Sequence, residues 1–413
     1  MGPLEGVRVL DLSRILAGPW ASQTLADLGA EVIKIERPGA GDDTRSWGPP
    51  WLGQGQGAST GPSAYFLCAN RGKRSLALDF TTDEGRRLVR ELAARSHVVL
   101  ENYRVGALEK YGLDYASLRA LNPKLVYCSI TGFGQTGPCA HRAGYDAAIQ
   151  AAGGLMSITG APDGPPQKVG VAVVDLMTAM YATTGILAAL RHAERTGEGQ
   201  HIDLALLDVQ VAFLANQAAN WLVGGQVPQR LGSAHPNIVP YQPVPAADGH
   251  FMLAVGNDAQ FARLCEVIAC AELARDPRYA TNAARVAHRM ELVPLLEDRL
   301  RQQPRAFWLD RLEAVGVPCA PVNRIDEVFA DPQVIARGLA ISLDHPQHGA
   351  VPGVASPLRL SQTPVDYAAA PPALGEHSAQ VLAEVLGLDA NKIAALEAAG
   401  VIACGARNDR SGT

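Results

Sequence analysis

The chain has 413 residues, of which 47% are hydrophobic and 19% charged. That length exceeds one ordinary core and calls for about two domains, and the apolar share excludes a chain disordered over most of its length. Lys and Arg number 36 against 41 Asp and Glu, a net charge of -5, with lysine only at 34, 73, 110, 124, 168 and 392 and no basic block, so no nucleic-acid partner is expected.

Seven cysteines stand at 68, 128, 139, 265, 270, 319 and 404. None is in C-x-x-C spacing and the count is odd, which argues against a disulfide scaffold and against a zinc ribbon. The first residues place Glu5, Arg8 and Asp11 where a signal peptide needs an apolar run. The uncharged stretch 176–190 is shorter than the ~20 residues of a membrane span. A longer one, 209–229, is interrupted by Gln210, Asn216, Gln217 and Asn220. The expectation is a soluble, cytoplasmic protein with no membrane partner.

In chain order, residues 7–12 read as a short β-branched strand, followed by an Ala17-Gly18-Pro19 turn, a helix over 20–28 and a second strand over 30–36. Strand, turn, helix, strand is a βαβ unit, which implies a parallel sheet. Strands follow at 75–79, 98–102, 125–130 and 201–205, and a Thr82-capped helix at 82–95. Helices are expected at 147–153, 175–191 and 208–222. The Gly-, Pro-, Gln- and Asn-rich stretch 224–243 reads as a linker or functional loop. A smaller α/β domain follows, with a strand at 249–255 and helices at 259–268, 286–302 and 304–314. The Pro-rich stretch 346–372 reads as extended with a short strand near 358–360, and helices at 378–386 and 391–399 close the fold. The last nine residues are expected to fray.

The first βα turn has no G-x-G-x-x-G, and the chain has no P-loop, no G-x-S-x-G elbow and no H-E-x-x-H. Dinucleotide, common NTPase, α/β-hydrolase and zincin chemistry are therefore disfavoured, and no metal site is indicated. Carboxylates remain. Asp175 stands between apolar runs at an expected helix start, which suits either an N-cap or an accessible, ionised nucleophile. Asp146, at another helix start, reads as a cap or support.

Several runs carry a family resemblance. They are Leu4-Glu5-Gly6-Val7-Arg8-Val9-Leu10-Asp11, Leu28-Gly29-Ala30-Glu31-Val32-Ile33-Lys34-Ile35-Glu36, Asn70-Arg71-Gly72-Lys73-Arg74-Ser75 and Glu101-Asn102-Tyr103. Ser129 to Gly134, Arg195 to Gln200, Gly316 to Val322 and Leu374-Gly375-Glu376-His377 join them. Together, over roughly 4–402, the chain resembles class III CoA-transferases, the formyl-CoA transferase family. The run Arg230 to Gln242 and Gly256-Asn257-Asp258 resemble the succinyl-CoA-dependent dicarboxylate branch, which includes glutarate, hydroxymethylglutarate and itaconate enzymes.

The resemblance implies a Rossmann-like large domain of 1–205 plus 335–413 and a small α/β domain of 225–330. Segments 206–224 and 331–334 link them, and two chains form an interlocked homodimer. It implies coenzyme A as substrate and product, no tightly bound cofactor, and a small carboxylic acid as partner. Asp175 falls at the family's catalytic aspartate. Ile15, Leu16, Arg37, Lys73, Arg74, Asn102, Lys110 and Arg142 are implied for CoA, and Gly232, His235 and Arg230 for the acceptor acid. The family's racemases of 2-methylacyl-CoA carry His where this chain has Tyr145. A phenol is a poor base beside an imidazole, which counts against that alternative. Transferases for carnitine-type or aromatic acids and a non-catalytic CoA-binding protein are the other readings.

Overall fold

The computed structural model describes residues 2–53, 61–367 and 369–405. Of the expected frayed tail, 406–413 lies outside the described residues. The strands in chain order are β1 (Arg8–Asp11), β2 (Glu31–Glu36), β3 (Lys73–Leu78), β4 (Val98–Glu101), β5 (Val126–Thr131), β6 (His201–Ala205), β7 (Tyr241–Ala246), β8 (Gly249–Ala254), β9 (Cys319–Pro321), β10 (Ala340–His345), β11 (Gly349–Val354) and β12 (Ile402–Ala403). The chain divides into two compact units. The first comprises Met1–Gly153, Gly170–Ala215 and Gln333–Thr413, and the second Gly154–Val169 and Asn216–Pro332.

The first unit is built on a seven-stranded sheet of order β12-β3-β2-β1-β4-β5-β6. All pairings are parallel except β12 on β3. Its strands are almost continuously buried, as a sheet covered on both faces requires. Alternate residues feed two cores. Leu10, Ile33, Leu76 and Val99 face the helix Asp83–Ala94 and the C-terminal helices Ser378–Leu386 and Ala390–Ala398. Val9, Val32, Val98 and Val126 face the helices Ala17–Asp27 and Val173–Thr196. Thr82 caps the helix Asp83–Ala94 by accepting from Gly85 N at 3.0 Å.

The helix Val173–Thr196 has 24 residues and is long and apolar enough, by length and composition, to cross a membrane. The sequence reading had its apolar run shorter than a span. In the fold, Val174, Ala179, Ala182, Ile186 and Ala189 are buried in the second core, so the apolar stretch serves packing.

The second unit carries the antiparallel sheet β7-β8-β9, packed around Phe251, Leu253, Phe261, Leu296 and Trp308. Gly154–Val169, expected within the large domain, belongs here: Gly160 bridges Gly232, and Arg230 Nε donates to Ala161 O at 3.2 Å.

Four local expectations are corrected. Helix 208–222 is two helices, Leu206–Ala212 and Ala215–Gly224, because Ala215 takes a left-handed φ of 47°. Helix 286–302 likewise splits into Asn282–Ala287 and Arg289–Leu300. The end of the 224–243 linker enters β7, where Pro243 pairs with Met252 and Pro245 with His250. No strand forms at 358–360. The hairpin β10–β11 lies before it, closed by the turn 346–348 and the left-handed Gly349 (φ 66°).

Candidate active site

Strand order reverses at β1: β2 and β3 lie on one side, β4, β5 and β6 on the other. Open parallel sheets bind ligands at the carboxyl end of such a point. A groove of about 400 Å³ opens there. Arg14 to Ala17 follow β1, Asn102 to Val105 follow β4, and Ile130 to Gly132 end β5. Arg142, Tyr145 and Asp175 complete the wall. A second hollow of about 370 Å³, beyond the ends of β2 and β3, shares Arg14, Tyr103 and Ala107 with it and holds Arg37 and Lys110.

Asp175 is the third residue of its helix, not the N-cap. That place belongs to Ala172, which has no side chain to accept a bond. Asp146 supplies the cap from another helix. Its Oδ1 accepts from Val174 N at 2.8 Å and from Asp175 N at 3.4 Å, and its Oδ2 accepts from Gln150 Nε2 at 2.6 Å. The Asp175 carboxylate itself accepts no side-chain or backbone hydrogen bond among the described residues. Burial, and then the charge of Asp146, push its pKa up to about 7. The acid expected to be accessible and ionised is thereby shifted toward its neutral form: the nearby helix start favours the anion, but desolvation outweighs it. Tyr65 faces the same two acids; burial first, then Asp175, hold its phenol at about 12.

The groove brings together Asp175, Ile15, Leu16, Asn102 and Arg142, and the adjoining hollow takes Arg37 and Lys110. Arg37, Lys110 and Arg142 form no ion pair among the described residues. Arg142 lies over the Phe133 ring at 5.0 Å and Lys110 over that of Tyr111 at 4.8 Å. Asn102 grips the first βα loop: its Oδ1 accepts from Arg14 N at 2.8 Å and its Nδ2 donates to Arg14 O at 2.7 Å.

Two predicted cations are excluded from ligand contact. Lys73 is 1% exposed, and its Nζ donates to Pro19 O and Asn70 Oδ1 at 2.8 Å each. Burial, against the pull of Asp11, lowers its ammonium to about 7. Arg74 is committed to Glu31 and Glu384, each at 2.7 Å, and lies outside both hollows. Gly232, His235 and Arg230 belong to the second unit. Gly232 is left-handed (φ 61°), and His235 accepts at Nδ1 from Asn237 N at 3.0 Å and packs on Tyr241. Sequence reasoning passed over Arg14, Tyr103 and Arg104 as groove residues. Two of them were in reach, since Tyr103 belongs to the quoted Glu101-Asn102-Tyr103 motif and Arg104 follows it.

Fold and groove define a doubly wound α/β enzyme with free cations on its walls and one unbonded carboxylate. The chain belongs to CoA-transferase family III, whose model matches residues 4–378. It is 55% identical over 383 residues to a succinate–glutarate CoA-transferase of Agrobacterium fabrum, covering 93% of this chain and 96% of that one. It is 47% identical to a succinyl-CoA:glutarate CoA-transferase of Mus musculus, covering 97% and 91%. A CAIB/BAIF family protein of known structure from Brucella suis superimposes with a TM-score of 0.81 at 52% identity, covering 93% and 99%.

Proposed function

We propose that this class III CoA-transferase moves CoA from succinyl-CoA to a dicarboxylic acid, glutarate before itaconate or hydroxymethylglutarate, through an aspartyl-CoA thioester on Asp175. The observation that carries the reading is the Asp175 carboxylate. It lines the groove and accepts no bond among the described residues, whereas Asp11, Asp42 and Asp146 are each spent on several. The names of relatives at 47% and 55% identity support the choice of donor and acceptor.

In this mechanism the Asp175 carboxylate attacks the succinyl thioester carbonyl. The C–S bond breaks, leaving a mixed anhydride and CoA thiolate. The thiolate attacks the Asp175 carbonyl and expels succinate, leaving aspartyl-CoA. The acceptor carboxylate attacks that thioester and again expels thiolate, which then attacks the acceptor carbonyl of the new anhydride. The products are acceptor-CoA and the regenerated Asp175 carboxylate. The acyl groups stay activated throughout, so no step requires ATP, and a thiolate held in the groove reacts as if intramolecular.

Ile15, Leu16 and Asn102 shape the nucleotide end of the groove in this reading, and Arg37, Lys110 and Arg142 meet the phosphates. Arg230, Gly232 and His235 serve the acceptor. Two chains form the active homodimer, and cysteines that form no disulfide among the described residues suit a reducing cytoplasm. The racemase alternative has no support in the groove, where Tyr145 stands in place of an imidazole. The test is covalent: incubate with succinyl-CoA, trap with hydroxylamine or borohydride, and map the adduct. An adduct on Asp175 is expected. Transfer activity with no adduct there overturns the mechanism.

A further inference from the structure

One backbone conformation in the groove is costly. Ile15 has φ 72°, the left-handed region. For a β-branched residue this is a true outlier, and such residues persist only where the surroundings over-determine them. The surroundings here do so at three consecutive residues. Ser13 N donates to Asp11 Oδ1 at 2.9 Å, and Ser13 O accepts from Lys34 Nζ at 2.9 Å. Arg14 is gripped at N and O by Asn102. Ile15 N donates to both oxygens of Asp42 at 3.3 Å.

Two of these groups form a buried ion pair. Lys34 Nζ lies 2.9 Å from Asp42 Oδ2, and both side chains are fully shielded from solvent. Burial alone raises the Asp42 pKa, but the Lys34 ammonium and the bonds from Thr44 bring it down to about 2. Asp42 therefore stays charged across the working range. Lys34 is a fully buried charge in the strand Glu31–Glu36, and buried ion pairs are poor sources of stability. A turn alone is made at no such cost by Gly. The branched side chain at 15, on the groove wall, is what Gly lacks.

We propose that the buried Lys34–Asp42 pair is a positioning device for acyl-CoA: it locks Ile15 in its left-handed conformation, so that the β1 loop presents an apolar wall to the ligand before it arrives. Lys34 and Asp42 are positioning residues that act through Ile15. The proposal rests on the reading that this groove binds CoA.

The experiment compares Asp42→Asn with Lys34→Met/Asp42→Leu, a pair of changes that leaves no orphan charge if the single variant fails to fold. Each is made with Ile15 and with Ile15→Gly. KM for succinyl-CoA, kcat, KM for glutarate and CoA affinity by calorimetry are read on the full chain. Loss of the lock is expected to raise KM for succinyl-CoA about tenfold, with kcat and KM for glutarate within about twofold. Ile15→Gly, which removes the branched wall itself, is expected to raise KM for succinyl-CoA about tenfold beside the intact pair and no more than about twofold further in the altered backgrounds, where the wall is already lost.

A lowered melting temperature with unchanged CoA affinity, or an Ile15→Gly loss as large in the altered backgrounds as beside the intact pair, overturns the proposal. Arg142→Ala and Arg37→Ala run alongside. If neither weakens CoA, the groove reading itself falls; if they do and the Asp42 variants do not, only the positioning role falls.

Discussion

Asp146 Oδ1 accepts from the backbone N–H of Val174, 28 residues later, at 2.8 Å, so one carboxylate caps a helix distant from its own in sequence. The same charge raises the pKa of the next residue, Asp175, after burial has done most of that work. Support of the helix start and tuning of the Asp175 carboxyl thus come from one side chain.

Asp175→Asn is expected to abolish transfer while the chain folds. For the wild type, kcat/KM for succinyl-CoA is expected to rise through about pH 7 and level off, because only the carboxylate attacks. The folded chain keeps the Asp175 proton up to about pH 7, and the unfolded chain only to about its ordinary 3.8. The group therefore lowers stability as pH rises through that window. Asp175→Asn removes the penalty, so its gain in melting temperature over wild type is expected to be larger at pH 8 than at pH 5. Calorimetric scans at both values check the sign.

Asp146→Asn keeps an oxygen for Val174 N and removes the charge. The acid limb of the pH–rate profile is expected to move below pH 7 without reaching the ordinary carboxylate range, since burial remains. Asp146→Ala also loses the cap and is expected to cost about 1 kcal/mol in urea unfolding. An unmoved acid limb in Asp146→Asn contradicts the electrostatic part.

Among the cations, Arg37, Lys110 and Arg142 line the two hollows, whereas Arg74 lies outside them in ion pairs. Single changes of Arg37, Lys110 or Arg142 to Ala are expected to raise KM for succinyl-CoA on the order of tenfold, about 1.4 kcal/mol, at nearly constant kcat. Arg74→Ala, whose partners are Glu31 and Glu384, is expected to leave KM within twofold. Steady-state kinetics on the four variants decides.

Lys73→Met strips a buried charge from beside Asp11. It is expected to cost about 3 kcal/mol in stability, read as a lower urea midpoint. Acyl-CoA binding by the folded protein is expected to be unchanged. A selective loss of CoA affinity with full stability returns Lys73 to the binding site.

The sheet of the first unit was legible because its strands are rich in Val, Ile and Leu, as in 30–36 and 125–130, even where Glu31, Lys34, Glu36 and Ser129 interrupt them. Asp175 as the proposed nucleophile rests on the resemblance; spacing alone allowed an N-cap. What removes the N-cap reading is Asp146, distant in sequence and invisible to any local window. Lys73 and Arg74 failed for a related reason. A cation in a quoted motif looks available until the fold shows Asp11, Asn70, Glu31 and Glu384 waiting for it. The hairpin β10–β11 was hidden by Pro346 and Pro352, residues that read as breakers but sit at a turn and at a pairing position open to proline.

The antiparallel strand β12 carries a consequence for synthesis. It covers the outer edge of β3 through Ile402 and Ala403, yet it is translated only after the whole second unit. A nascent chain emerging from the ribosome therefore carries β1 to β6 with β3 as an open edge, its amides and carbonyls free to template another strand. The growing polypeptide passes through a window of exposure to chaperones and to aggregation that closes only when Ile402 docks.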